Sequence, residues 1–279
     1  MLGNIDYRNP VDYSHPHLRD CELLLKALPT LRSDYFYDLS PHHRNGTLTN
    51  MDPATDWVPS HRGMVLDLDG SNDYVDCGNE PPGIAGLSEC TFMAWVEVSV
   101  LAAGTNAICG QRGAETGATN CSSLLDVTNG ALRLQLINNA KTANRFWSTD
   151  TSAVPASGWV HVAASWFGGA TTKLVVNGVD MAVDTYLTNG TPPNTIYPST
   201  RPFMVGASQN GAGLAYQVNG QIDDVRVYSR ALTAEEIRDI YLDTVGMRYS
   251  WIPRVGVGLP VMSYYQSPTA FVPQIIWYN

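Results

Sequence analysis

Apolar and polar residues alternate with a period of two along several stretches of the chain, and this pattern predicts β-strands. Leu66 and Leu68 would face one side of a sheet and Asp67 the other. The same alternation recurs at 91–98, 131–137, 159–167, 172–183, 201–205 and 220–228. With shorter runs included, about twelve strands are expected, which is too many for one small open sheet and predicts two packed antiparallel sheets.

Turn residues between these stretches predict which strands are neighbours. Asn177-Gly178 supplies two residues suited to positive φ, so it predicts a type I′ hairpin within 172–183. The stretch 91–98 is apolar on both faces, which predicts a strand in the centre of a sheet.

A second turn is expected at 70–72, where glycine, serine and asparagine follow a predicted strand. It predicts a hairpin that joins 63–69 to 74–77. Short polar side chains at both ends of this turn should cap it, namely Asp69, Asn72 and Asp73.

The segment 220–237 combines a predicted closing strand with a short helix and almost no linker. Asp223 and Asp224 are adjacent in the strand and should point to opposite faces, so one acid would be exposed to water and the other bound to a partner. Thr233, with Glu236 three positions later, predicts a capping box and a helix of two to three turns.

This segment also carries a family resemblance. GQIDDVRVYSRALTAEEI, beginning at Gly220, resembles the last strand of the concanavalin A-like, laminin-G-like jelly rolls, and LDLDGSNDYVDCG, from Leu66 to Gly78, is similar to their early strand pair. The resemblance extends over 21–243 and implies an all-β, two-sheet antiparallel jelly-roll sandwich with a short C-terminal helix. This sandwich serves lectins, glycanases, adhesion modules and virion proteins, so the fold leaves the function open.

The chain divides into an N-terminal arm at 1–20, a jelly-roll domain at 21–245 and an extended C-terminal arm at 246–279. The last arm has four prolines and no charged side chain after Arg254. Prolines exclude a helix, while the aromatic and β-branched content is unlike that of a free linker, so this arm should bind a sheet edge or a groove. We expect it to mediate homo-oligomer assembly through Trp251, Tyr264, Tyr265, Phe271 and Trp277.

Charge and composition exclude several classes of function. The formal net charge is −9 and the pI is about 5.0, which argues against a nucleic-acid partner. The first residues lack the basic and apolar regions of a signal peptide, and no apolar run is long enough to cross a membrane. The five cysteines are irregularly spaced and are expected to be small buried apolar side chains rather than disulfides or a zinc site.

The distribution of acids and nucleophiles predicts a non-enzymatic protein. Glycanases with this sandwich carry carboxylates at alternate strand positions, and the E-x-D-x-x-E pattern does not occur here. No Ser-His-Asp set is recognisable either. The densest acid pairs each have a structural explanation as strand rim, strand end or helix cap, and they are Asp67 with Asp69, Asp223 with Asp224, and Glu235 with Glu236.

One structural Ca²⁺ is a candidate ligand, bound by oxygen atoms of Asp38, Asn45 and Asp223 between the first loop and the last strand. The alternative is that Asp223 accepts hydrogen bonds from loop backbone amides. His42 and His43 are adjacent, and since adjacent side chains diverge, a solvated loop is expected there rather than a metal site.

The first functional hypothesis is a virion structural protein of a tailed bacteriophage, made in the host cytoplasm, as a capsid decoration, head-fibre or tail component. It rests on the resemblance to laminin-G-like proteins of phage and environmental bacterial genomes, and on two arms flanking a rigid sandwich. The partners would be other virion proteins or copies of the chain itself.

The second hypothesis is a lectin-like carbohydrate-binding module acting at a cell surface or on a virion that touches one. Aromatic side chains in or near loops would stack on sugar rings, with Tyr186, Tyr197 and Tyr216 as the predicted glycan-binding residues. Trp147 and Trp166 also lie in or near predicted loops, but aromatic residues of a β-sandwich are more often part of the core than of a binding surface. A third hypothesis, a calcium-dependent extracellular adhesion domain, requires export.

Overall fold

A computed structural model describes ten segments of the protein, at residues 11–28, 32–79, 82–99, 104–112, 121–137, 144–168, 171–189, 193–199, 201–210 and 213–245. In these segments the chain forms nineteen strands, one short 3-10 helix (η1) and one α-helix (α1). The elements in chain order are η1 Pro16–Leu18, β1 Cys21–Lys26, β2 Tyr35–Asp38, β3 Gly46–Thr49, β4 Trp57–Ser60, β5 Gly63–Asp69, β6 Tyr74–Asp76, β7 Glu89–Val98, β8 Thr105–Arg112, β9 Cys121–Thr128, β10 Ala131–Ile137, β11 Asn144–Ser148, β12 Val160–Phe167, β13 Thr171–Val176, β14 Val179–Asp180, β15 Asp184–Asn189, β16 Phe203–Val205, β17 Ser208–Asn210, β18 Gly213–Ala215, β19 Asn219–Tyr228 and α1 Ala234–Val245.

Most of the strands form two antiparallel sheets, which confirms the predicted all-β sandwich. Sheet A runs in the order β14–β13–β12–β7–β19, and the free side of β19 pairs first with β5 and then with β1. Sheet B runs in the order β2–β3–β6–β16–β8–β9–β10–β11–β15. Strands β17 and β18 form a separate two-stranded sheet, and β4 pairs with β5 of sheet A. Strand β7 lies between β19 and β12, as its two apolar faces predicted.

The main core lies between the two sheets and contains the inward side chains of both. Phe92 of sheet A and Phe203 of sheet B stack with ring centroids 6.5 Å apart. Each is completely shielded from solvent. Aromatic rings of this size remove a large apolar area from water, and that burial is the main force holding the sheets together.

A second core lies on the outer face of sheet A, where α1 and η1 cover it. Leu24 and Met93 point out of the sheet and meet Ile237 and Ile240 of the helix. Ile237 and Ile240 are three positions apart in the helix and therefore share one face, so they form the apolar stripe of α1. At twelve residues, α1 is too short to cross a membrane, and no helix in the described segments is long and apolar enough to do so.

The capping box is confirmed. The Glu236 backbone N–H donates to Thr233 Oγ1 over 3.2 Å, and the Thr233 N–H donates to Glu236 Oε2 over 2.9 Å. Two otherwise unpaired N–H groups at the first turn are thereby satisfied. The helix extends slightly beyond three turns, somewhat longer than predicted.

The predicted hairpin across 70–72 is wrong, because β5 belongs to sheet A and β6 to sheet B. The turn therefore carries the chain from one sheet to the other. Asp69 accepts a hydrogen bond from the Ser71 N–H and Asp73 accepts one from the Asp69 N–H, so the predicted capping by these two acids is confirmed. Side-chain acceptors close the turn without a strand ladder across it.

Two other expectations are revised and one is untested. The strand number exceeds twelve because many strands have four residues or fewer. The end of the N-terminal arm is not wholly extended, since it forms η1 and buries Leu18. The prediction for the C-terminal arm, with Trp251, Tyr264, Tyr265, Phe271 and Trp277, falls outside the described residues.

Candidate functional site

Strands β8 to β11 place several polar and aromatic side chains on the outer face of sheet B. The turn Asn129-Gly130 joins β9 to β10, and its two residues have φ of 51° and 80°. Asparagine and glycine tolerate this left-handed backbone, so the turn sets the register of the hairpin. In that register, Asp126 lies directly opposite Arg133.

Asp126 and Arg133 form a buried ion pair. Arg133 Nε lies 2.7 Å from Asp126 Oδ1, and the Thr128 hydroxyl donates to the same oxygen over 2.8 Å. The Arg133 guanidinium also lies 5.4 Å from the centre of the Phe146 ring. Arg133 also donates to the Thr105 hydroxyl of β8 over 3.4 Å, so contacts with both flanking strands, β8 and β11, hold the pair.

The second carboxylate oxygen of Asp126 differs from the first. Asp126 is completely buried, yet its Oδ2 has no hydrogen-bond partner within the described segments. Burial raises the pKa of Asp126, while the positive charges of Arg133 and Arg112 oppose this shift. A buried acceptor without a donor is costly, so this oxygen is a place where a donor from outside would be favourable.

Arg112 lies beside this pair and stacks on Tyr216. Its guanidinium carbon is 4.5 Å from the ring centre, within the range of a cation–π contact. Among the residues that the structure describes, no side chain forms a hydrogen bond or an ion pair with Arg112. The guanidinium of the half-buried Arg112 therefore has donors that no described side chain uses.

The Tyr216 backbone is held in an unusual conformation. Its φ is 59°, a left-handed value that is uncommon for residues other than glycine and asparagine. The Ala107 N–H donates to the Tyr216 carbonyl over 2.8 Å, which ties this loop to the edge of β8. Such strained residues persist only where surrounding contacts hold them, and they are often found at binding sites.

Tyr197 and Tyr216 meet on one small apolar cluster formed by Ala107, Leu124 and Ile137. The Tyr197 backbone carbonyl accepts a hydrogen bond from the Ser122 hydroxyl, which fixes its loop against β9. We define the arginine–tyrosine face as Arg112, Asp126, Arg133, Tyr197 and Tyr216.

Two of the three predicted glycan-binding tyrosines are thus brought together. The backbone of Tyr186 lies on β15 opposite Phe146, and its side chain is outside the described residues. Trp147 and Trp166 are buried in the main core, so the packing explanation holds for them. Binding of sugars by the tyrosines stays a prediction.

The three residues predicted to bind calcium lie in two different hydrogen-bond networks. Asp38 accepts hydrogen bonds from backbone N–H groups, including that of Leu24 over 2.8 Å, and Asn45 Oδ1 accepts one from the Asp38 N–H over 2.9 Å. Asp223 instead pairs with Lys26 and accepts the Ala27 N–H. The alternative role for Asp223, hydrogen bonding to backbone, is therefore present.

Within the described segments, no group of three or more His, Cys, Asp and Glu side chains is arranged to hold a metal ion. His42 Nε2 lies 3.2 Å from Glu22 Oε2, whereas His43 Nε2 lies 3.3 Å from the Tyr13 hydroxyl. The adjacent histidines therefore contact different partners, as expected. Calcium binding stays a prediction.

The prediction that one closing-strand acid is exposed is wrong, because Asp223 and Asp224 are both buried. A β-bulge with a left-handed φ of 54° at Asp224 interrupts the alternation of β19. Asp224 pairs with Arg226, with Nε and Oδ1 2.6 Å apart. Burial opposes ionisation of both acids and raises the pKa of Asp223, but the Arg226 guanidinium holds the pKa of Asp224 below its usual value.

Sequence reasoning missed Arg112, Asp126 and Arg133 as site residues. A signal for two of them was present, since Asn129-Gly130 is a hairpin turn and Asp126 and Arg133 are equidistant from it. The contact between Arg112 and Tyr216 joins residues far apart in sequence. It had no local signal.

A family model described as the concanavalin A-like lectin/glucanases superfamily matches residues 69–238. That match covers more than half of the 279 residues. A comparison with curated proteins by sequence finds no significant match.

Several solved structures share the fold. The receptor binding domain of the botulinum neurotoxin C/D mosaic serotype is 15% identical, with a TM-score of 0.55 over 80% of this chain and 51% of that one. The serotype D ligand binding domain, solved in complex with N-acetylneuraminic acid, is 14% identical, with a TM-score of 0.52 over 81% and 52%. The CBM40 of the Ruminococcus gnavus IT-sialidase is 18% identical, with a TM-score of 0.51 over 63% and 96%.

These likenesses concern the sandwich itself. The chain spans about half the length of the toxin domains that it matches. At such low identity, the resemblance extends to the fold and not to individual side chains.

Proposed function

Because the chain belongs to the concanavalin A-like lectin/glucanase superfamily, we propose that it is a non-enzymatic lectin-like module that binds glycans on the arginine–tyrosine face. The observation that carries this proposal is the grouping of Tyr197 and Tyr216 with unused polar groups of Arg112 and Asp126. Sugar sites need this combination, since a ring stacks on an aromatic side chain while fixed polar groups bind its hydroxyls.

The non-enzymatic part of the proposal is supported by the contacts of acids from the most closely spaced pairs in the sequence. Asp223 and Asp224 are buried with Lys26 and Arg226, and Asp69 accepts backbone hydrogen bonds in its turn. Retaining and inverting glycosidases need two carboxyl groups that flank one bond. These acids are committed to structural contacts.

The test is glycan binding by the full chain and by Tyr216→Ala, measured on a glycan array and then by calorimetry on the glycans that bind. We expect Tyr216→Ala to weaken glycan binding roughly tenfold or more. A ring packed on an aromatic side chain contributes about 1.4 kcal/mol of binding free energy, which corresponds to a tenfold change in affinity. Phe167→Ala is the matched control, since Phe167 is an exposed aromatic residue on sheet A. Equal weakening by both variants, or no glycan bound by the full chain, would contradict the proposal.

A role as a structural component of a tailed-phage virion is a second candidate. It is supported by the composition of 246–279, whose prolines and aromatic residues suit binding along a partner surface. Under this proposal the protein acts in the virion, after synthesis in the host cytoplasm, and is a capsid decoration, head-fibre or tail component. Glycan binding and this role are compatible.

A further inference from the structure

We infer that the arginine–tyrosine face selects glycans that carry an anionic group, with Arg112 binding the anion and Asp126 accepting a hydrogen bond from a sugar hydroxyl. This inference rests on the proposed glycan-binding function and adds the chemical class of the ligand.

The described side chains of the face carry two guanidinium groups and one carboxylate. Arg133 is bound to Asp126 through a contact of 2.7 Å, whereas Arg112 forms no ion pair of its own among the described residues and acts on Asp126 only through its charge. The chain as a whole has a formal net charge of −9. A local surplus of positive charge on an acidic protein is suited to one anionic group rather than to a polyanion such as nucleic acid.

The geometry of Arg112 is suited to binding one anionic group. Stacking on Tyr216 holds the guanidinium plane while its N–H groups remain available. A guanidinium whose orientation is already fixed loses less entropy when it forms a bidentate pair with a carboxylate or sulfate group. A neutral sugar would leave these charged donors with weaker partners.

Asp126 supplies the complementary group. Its Oδ1 is occupied by Arg133 and Thr128, so the carboxylate is locked, and its Oδ2 has no partner within the described part of the chain. A sugar hydroxyl is a donor that would satisfy this oxygen. An acidic sugar presents both an anion and neighbouring hydroxyls, and therefore matches both unused groups at once.

The two groups are also near enough to act on one ligand. The positive charge of Arg112 acts on Asp126 directly, and Tyr216, under the Arg112 guanidinium, is hydrogen-bonded to Ala107, whose Cα lies opposite that of Asp126. A ligand bound beside Tyr216 would thus be close to both groups.

The experiment measures binding of three probes to the full chain by calorimetry: lactose, lactose bearing a terminal sialic acid, and lactose bearing a sulfate group. We expect either acidic probe to bind roughly tenfold or more tightly than lactose, as a charge-assisted bidentate contact would produce. A preference for the sialylated over the sulfated probe would assign the anion as a carboxylate, and the reverse would assign it as a sulfate.

Arg112→Gln should abolish the preference for acidic probes over lactose, while Arg112→Lys should restore part of this preference. Asp126→Asn should weaken all three probes. Arg238→Gln is the matched control, because Arg238 is an exposed arginine on α1. Thermal melting of each variant reports whether the fold is kept.

The outcomes distinguish a preference for anionic glycans from glycan binding in general. If the full chain binds all three probes equally well, or if Arg112→Gln keeps the preference, the inference of an anionic ligand is wrong and the proposed glycan binding stands. If the full chain binds neither these probes nor any member of a broader panel of neutral and acidic glycans, both are wrong.

Discussion

Asp223 shows how a single buried charge is accommodated in this protein. It lies in the outer layer of sheet A, paired with Lys26, while Arg62 Nε is 3.8 Å away and the Arg62 guanidinium lies 3.7 Å from the centre of the Trp95 ring. All of these side chains are nearly or completely buried. Ion pairs in such surroundings add little net stability as pairs, but losing one partner leaves a charge without compensation.

Lys26→Met is therefore expected to destabilise the protein strongly. It keeps the apolar length of the side chain but removes the nearer of the two cations beside Asp223, and we expect the free energy of unfolding to fall by about 3 kcal/mol. Lys173→Met is the control, because the Lys173–Asp180 pair, at 2.5 Å, is at the surface and should contribute under about 1 kcal/mol. Guanidinium denaturation of both variants measures the difference, and similar losses would show that burial is not the deciding factor.

At the scale of elements, helix α1 covers the outer face of sheet A and buries the side chains beneath it. Trp95 stacks on Tyr241 of the helix, with centroids 5.6 Å apart, and its Nε1 donates to the Thr244 hydroxyl over 2.9 Å. His161 packs against both rings, with its centroid 5.3 Å from that of Trp95 and 5.8 Å from that of Tyr241. The helix thus encloses an imidazole that has no contact with water.

Burial lowers the pKa of His161 to about 3, well below its ordinary value near 6.5. The unfolded chain then binds more protons than the folded one between these two pH values, so stability falls as the pH drops from about 6.5 towards 3. At pH 5 this histidine should account for a loss of about 2 kcal/mol relative to pH 7, given 1.36 kcal/mol for each pH unit.

His161→Phe removes the titrating group and preserves the ring contacts. We expect the decrease in unfolding free energy between pH 7 and pH 5 to be smaller in the variant by about 2 kcal/mol. Denaturation at both pH values measures it, with wild type as the reference. A variant with the same pH dependence as wild type would show that His161 is not the group responsible.

At the scale of the whole molecule, the described cores are built from residues 11–240. The sandwich should therefore fold without the C-terminal arm. Deleting 247–279 is expected to keep the melting temperature of the sandwich and to convert a trimer or larger assembly into a monomer, because the arm would supply the contacts between copies.

Light scattering on a sizing column measures the mass of both forms, and circular dichroism checks the fold of the truncated one. An assembly of the same size with and without the arm would contradict the prediction. A loss of folded structure on truncation would instead show that the arm completes the sandwich.

Much of the fold was predictable from local sequence because its signals are local. The Asn177-Gly178 turn, the alternation in 131–137 and the pair Thr233 and Glu236 each specify their structure within a few residues. Period-two alternation and capping depend on near neighbours along the chain, so these predictions are confirmed. The family resemblance then supplied the arrangement of the two sheets.

The same sequence did not predict where alternation stops or which strands cross between sheets. The bulge at Asp224 inverts the face of every later residue in β19, and the turn at 70–72 separates β5 from β6. Both depend on what lies across the sheet. A strand shifts its register when packing on the partner strand makes the shift favourable, and that partner is distant in the chain.

Sequence by itself therefore determined the fold class, the helix cap, the main turns and the aromatic candidates Tyr197 and Tyr216. Only the tertiary structure decided that these tyrosines share one face with Arg112 and that Asp126 keeps an unpaired oxygen there. The physical reason is that strand patterns act over a few residues, whereas a binding face arises from side chains that long-range sheet pairing brings together.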